Sequence, residues 1–189
     1  MIARWNTFRN ESCRCCSAMN RDSWRVNPLV LAAMVVESLL WTIALVVVLI
    51  VVQEVFRRSG VPPAVQVGGG EAEALSRPAR VTISLGAGLY EELLFRMLGI
   101  ALLHVIFVDL TRMSEKWGTG LAIALSAAAF AVYHDITGPT GDLLAAKAFS
   151  LLVAGVYFGV IYVNRGFGIV VAVHALYDII VLVLLSGPR

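Results

Sequence analysis

Cysteine is absent beyond residue 16, and the three that occur, Cys13, Cys15 and Cys16, crowd into one polar stretch. A bridge between such close neighbours is strained, so no disulfide framework is encoded. No second cysteine or histidine cluster stands ready to complete a metal site with them. They are read as incidental, with lipid attachment or a weak metal contact as the alternatives. Charge is scarce too: Asp, Glu, Lys and Arg make up 15% of the chain and the formal net charge is +2, so nothing marks a nucleic-acid partner. No internal repeat is visible, which counts against inverted-repeat transporter designs. No His-Glu-x-x-His pair supplies two metal ligands and a base within one helical turn. A cleavable signal peptide is not expected either, because the first apolar run is about twice the length of a signal h-region and lacks a small-residue cleavage site.

What is abundant is apolar surface. Hydrophobic residues form 59% of the 189-residue chain and mean hydropathy is +0.81, against about 45–50% apolar residues in soluble domains. The fold class expected is all-α, a polytopic transmembrane helical bundle of about five spans. Residues 1–27 form a tail with Arg4, Arg9, Arg14, Arg21 and Arg25 against only Glu11 and Asp22, which the positive-inside rule keeps in the cytoplasm. Residues 28–56 hold the first span, opened by Pro28 and interrupted by Glu37, read as structural. Residues 57–80 form a polar loop with Gly60-Val-Pro-Pro, Gly68-Gly69-Gly70 and a short surface helix over 71–75. Residues 81–189 hold four more spans, at 81–108, 118–134, 143–163 and 167–185, expected to form a four-helix catalytic core. The third is rich in Gly, Ala and Ser, and the fourth carries Gly155-x-x-x-Gly159; both features suit close helix approach.

The second span contains the most expensive residues in the chain, Tyr90-Glu91-Glu92-Leu93-Leu94-Phe95-Arg96. Ionisable groups near the middle of a membrane span cost on the order of a few kcal/mol each, and they usually face a protein interior and work there. At ~100° per residue Glu92 and Arg96 form an i,i+4 pair on one face, while Glu91 points elsewhere. One glutamate is thereby neutralised and its neighbour is left free to hold and deprotonate water. His134 closes the third span, and His174 and Asp178 form an i,i+4 pair in the fifth. One shared pocket would satisfy all of these groups at once, whereas isolated charges would each need separate compensation. In that pocket Glu91 is a general base, His134 orients the water or protonates the leaving amine, and His174 faces the developing oxyanion. In a metal-based alternative Glu91, His134 and His174 are three ligands of a zinc ion with an open fourth position. His104 is set apart, about 18 Å along the helix from Glu92 at ~1.5 Å per residue, and is read as a packing or interfacial histidine.

Glu91-Glu92-x-x-x-Arg96, Phe130-x-x-x-His134 and His174-x-x-x-Asp178, in this order on successive spans, resemble the CPBP family of intramembrane proteases. That family includes the type II CAAX prenyl endopeptidases and the bacteriocin-processing and immunity proteins. The stretch from Gly155 through Tyr162 and Arg165-Gly166 to His174 is similar as well. The resemblance implies an intramembrane endopeptidase acting on a protein or peptide substrate that reaches the bilayer, in contact with membrane lipid, with no nucleic acid. It implies Glu91 as water activator, His134 as its partner, His174 and Asp178 at the oxyanion side, and Glu92 with Arg96 as a supporting ion pair. Although the family is often labelled metalloprotease, no cofactor is firmly implied by the resemblance, and a divalent metal such as zinc at Glu91, His134 and His174 stays open. The expected location is a bacterial cell membrane, multi-pass, with a cytoplasmic N-terminus. Asp178 stands where many prenyl endopeptidases have asparagine. An ionised aspartate has no hydrogen to give an oxyanion, so Asp178 is either protonated or orients the His174 ring. Two other functions fit the same residues: an ion- or proton-binding transport protein, and a catalytically idle scaffold or immunity protein that binds a partner helix through its small-residue faces.

Overall fold

The computed structural model describes residues 27–61, 75–138 and 143–185. The basic tail, Cys13, Cys15 and Cys16, nearly all of the expected 71–75 surface helix, and Gly141 with Asp142 lie outside the described residues. Of the described residues 87% are helical and none belongs to a strand. The described residues form five helices: α1 (Pro28–Arg58), α2 (Arg77–Leu110), α3 (Glu115–Tyr133), α4 (Ala145–Arg165) and α5 (Phe167–Leu185). Residues Val35–Arg189 form one compact unit and Met1–Met34 another. The described part of the smaller unit is the entry to α1, with exposed side chains.

Each boundary has a local cause. Pro28 begins α1, where its missing N–H costs nothing, and the Asn27 side chain accepts from the Leu29 amide at 2.9 Å. Pro78 likewise sits in the first turn of α2. Between α4 and α5 the chain reverses at Gly166, with φ 86° and ψ 176°, a conformation that only glycine adopts without strain.

α1, α2, α4 and α5 are each long and apolar enough to cross a membrane. α3 is not in that group: Glu115, Lys116 and its many small residues lower its hydropathy. Within the larger unit α3 packs on α4, α4 on α5, α5 on α2 and α2 on α3. The burial pattern inverts that of a soluble protein. Leu39, Ile43, Leu89, Leu102 and Val160 are among many exposed apolar side chains, while Thr42, Ser84, Glu92, Arg96 and His174 are buried. This is the arrangement expected where the outer surface meets lipid and polar groups must find partners inside. The chain is an integral membrane protein.

Small residues set the closest approach. A Cβ at Gly155 of α4 would stand 2.9 Å from both the Cα and the Cβ of Ala127 in α3, and one at Gly159 would stand 2.8 Å from the Ile123 side chain. Gly155→Ala therefore forces α3 and α4 apart, with an expected loss of about 1–3 kcal/mol. Thermal unfolding in detergent reads this as a lowered melting temperature; an unchanged one would mean that α3 yields freely at this crossing.

Within the larger unit, α1 from Val35 onward packs on its neighbours chiefly through side chains. Leu45 is fully buried with Phe158, Ile161, Val170 and Val173. The Tyr157 hydroxyl donates to the Trp41 carbonyl at 2.8 Å, and Gln53 Nε2 donates to Ser150 Oγ at 2.9 Å. Glu37 pairs with Arg165, whose Nη2 lies 2.6 Å from Glu37 Oε2, so the carboxylate inside the first span ties α1 to the end of α4.

Candidate active site

α2 is continuous, but its hydrogen bonding changes character directly after Glu91: Glu92–Ile100 is π-helical. Such segments pair each residue with the fifth one along, and they often occur at functional sites. The Phe95 carbonyl within it accepts from Ser126 Oγ of α3 at 2.7 Å, so a neighbouring helix serves the altered backbone.

Glu92 and Arg96 are both completely buried. Glu92 Oε1 lies 3.1 Å from Arg96 Nη1 and accepts from His174 Nδ1 at 2.7 Å. Arg96 Nη2 donates to the Gly155 carbonyl at 3.3 Å, and the guanidinium carbon sits 4.4 Å from the Phe130 ring centroid and 5.1 Å from that of Phe158. Removing two charges from water carries a large penalty. Here the ion pair, a backbone carbonyl, an imidazole and two aromatic faces offset it together.

The two histidines are held in the same way by different means. α3 stops at Tyr133, and His134 turns to extended backbone with φ −81° and ψ 147°. Its Nδ1 donates to the Phe130 carbonyl at 2.9 Å, one of the last-turn carbonyls that has no partner within the helix. The His174 ring is fixed from Nδ1 by Glu92, and Phe158 stacks on it at 4.5 Å with an 18° interplanar angle. In both rings the Nδ1 hydrogen is committed, which leaves Nε2 to face the site.

Both Nε2 atoms converge on one oxygen. Glu91 Oε2 lies 3.6 Å from His134 Nε2 and 3.8 Å from His174 Nε2, and it is buried without a hydrogen-bond partner. Asp178 Oδ2 lies 3.8 Å from His174 Nε2, too long for a direct bond, so the ring takes its orientation from Glu92 and not from Asp178. α5 supplies both residues four apart, and that spacing sets Asp178 beside the ring's open nitrogen. His134, His174 and Asp178 line a cavity of about 270 Å³ together with Gln53, Lys147 and Ser150. Glu91 is not among the lining residues; it meets the cavity through the two imidazoles. At the end of α3 the Thr137 hydroxyl and amide both donate to Asp135 Oδ1, at 2.7 and 3.0 Å, and hold that exposed carboxyl below its ordinary range.

The structure thus brings Glu91, Glu92, Arg96, His134, His174 and Asp178 to one place. Sequence reasoning gave no role to Phe130 and Phe158, which hold the guanidinium and one imidazole between them. Nor did it find Gln53, on a helix thought to lie outside the core; a lone glutamine near the end of an apolar run was the available signal. Among the described residues no group of three or more His, Cys, Asp or Glu side chains is arranged to hold a metal ion.

An apolar bundle that gathers acids and imidazoles from three of its helices at one buried place holds the residue types that acid–base chemistry uses. The model of the family described as Rce1-like, type II CAAX prenyl endopeptidase Rce1-like, matches residues 74–180. With more than half its length matched, the chain belongs to this family and is a CAAX protease-family intramembrane peptidase within the CPBP group. No curated protein and no solved structure matches it.

Proposed function

We propose that the chain is a glutamate-dependent endopeptidase that hydrolyses a peptide bond of a membrane-associated or C-terminal-tail protein substrate. One observation carries this: two imidazoles, each with Nδ1 committed elsewhere, direct Nε2 at the same buried, unpartnered oxygen of Glu91. The separations exceed a direct hydrogen bond, so Oε2 keeps its lone pairs for a water.

The chemistry uses protein groups alone. Water gives one hydrogen to Glu91 Oε2 and directs the other at the lone pair of His134 Nε2, which fixes the oxygen for attack. Glu91 takes the proton as the new C–O bond forms at the substrate carbonyl. His174, in its doubly protonated form, donates Nε2–H to the developing oxyanion. Around it stand three carboxylates, Glu91, Glu92 and Asp178, against the single guanidinium of Arg96, so an imidazolium improves the local charge balance. Asp178 then needs no hydrogen of its own for the oxyanion, since it sits beside the cation that supplies one. Collapse of the intermediate breaks the C–N bond, and the proton on Glu91 passes to the leaving amine. The products are one carboxylic acid and one amine.

The test is cleavage by the purified chain, in detergent, of acylated peptides carrying a membrane-anchored apolar segment, with both product ends identified by mass spectrometry. His134→Ala is expected to slow cleavage about 100-fold, the lower range for loss of an acid–base partner. Proton or ion flux through sealed vesicles, with no peptide cleaved, would overturn the assignment.

A further inference from the structure

The cavity at the histidines has a second charged wall that the hydrolytic chemistry does not use. Lys147, in the first turn of α4 and half-buried, lines it together with His134, His174 and Asp178. Lysine is the sole permanently cationic side chain among the lining residues, and Asp178 is the sole carboxylate. Among the described residues Lys147 makes no ion pair: it acts on Asp135 only through space, while that carboxylate is occupied with Thr137. Ser150 Oγ, one turn along the same helix, already accepts from Gln53 and donates to the Ala146 carbonyl at 2.7 Å. The neighbouring hydroxyl therefore does not compete for an incoming anion, and the ammonium keeps its three donors.

We propose that Lys147 is a specificity-determining residue that binds a carboxylate of the substrate beside the scissile bond. Even with Arg96 and an imidazolium at His174, the three carboxylates Glu91, Glu92 and Asp178 leave the region net anionic, and a substrate carboxylate entering it is repelled unless a cation stands at the wall. A singly charged carboxylate suits this better than a phosphate, whose higher charge the three acids oppose more strongly. The carboxylate is either a C-terminal α-carboxylate or an Asp or Glu side chain. This inference rests on the proposed peptidase function only for where the substrate lies. The alternative role for a lysine near a helix end is to extend its ammonium towards lipid headgroups.

Binding tests this separately from catalysis. The probe is a fluorescent, N-dodecanoylated apolar pentapeptide, prepared as the free acid, as the C-terminal amide, and as the amide with glutamate in the last position. Affinity is measured in detergent on the full chain carrying Glu91→Gln, so that no peptide is consumed, with melting temperature confirming a folded protein. Whichever probe carries the matching carboxylate, the free acid or the glutamate amide, is expected to bind about 10- to 100-fold tighter than the plain amide, the range for a hydrogen bond to a charged group. Added Lys147→Gln should bring that ratio near one, and Lys147→Arg should retain most of it. The tighter binder of the free acid and the glutamate amide identifies the source of the carboxylate. Binding of the free acid and of the glutamate amide no tighter than that of the plain amide, a ratio that survives Lys147→Gln, or no binding of any probe would overturn the proposal. Cleavage of the same peptides by the unsubstituted chain decides the peptidase question independently.

Discussion

Glu91→Gln should lower kcat by about 10³-fold, near the centre of the 10²–10⁴ range for a positioned general base, while leaving the fold intact. The amide keeps the shape of the side chain and can still orient a water, but it cannot take a proton at any working pH. Glu91 is also an acid whose loss removes no hydrogen bond at Oε2 from the fold. Its Oε2 has no hydrogen-bond partner, and Arg96 is paired with Glu92. Substrate binding should change little, so the loss falls on kcat and not on KM. The measurement is single-turnover cleavage together with a melting curve for each protein. A rate within tenfold of the original would remove Glu91 from the role of base, and a large drop in melting temperature would recast it as a structural acid. Activity that persists through prolonged dialysis against a metal chelator is expected as well, because no step of the proposed route passes through an ion.

The readable parts of this chain were those written locally. The helices follow from apolar runs punctuated by Pro28, Gly60, Pro78 and Gly166, and the Glu92–Arg96 pair is visible because both residues lie on one segment. The partnership of Glu92 with His174 spans 82 positions, and no local pattern encodes it. Glu92 seemed to be occupied by the arginine alone; in the folded chain it also fixes the His174 ring, a task for which Asp178 had been one candidate. The π-helical turn after Glu91 was hidden for a different reason: its formation depends on packing, including the Ser126 hydroxyl on the Phe95 carbonyl, and Leu-Leu-Phe has no composition that distinguishes π from α. The stacking of Phe158 on His174 was masked by its setting, since an aromatic between two helix-packing glycines reads as ordinary bundle core.

The largest stability effect is expected at Arg96. Arg96→Met leaves Glu92 fully buried, with the His174 Nδ1–H as its remaining partner, and withdraws the only guanidinium from a site holding three carboxylates. Breaking one side of a buried pair costs about 3–5 kcal/mol, mostly through the charge left behind. The double substitution Arg96→Met with Glu92→Gln removes that charge, while the amide oxygen can still accept from His174. It should therefore be more stable than Arg96→Met alone, with a coupling of about 2–3 kcal/mol in a double-mutant cycle of unfolding in mixed detergent micelles. Arg96→Lys is the sharper probe. It restores the charge, but a compact ammonium cannot present a planar fork to Glu92 and the Gly155 carbonyl while lying between Phe130 and Phe158, so it should recover less than half of the lost stability. Full recovery by lysine would mean that charge alone holds this centre together. Additive single-substitution effects would mean that Glu92 and Arg96, though 3.1 Å apart, do not depend on one another for their burial.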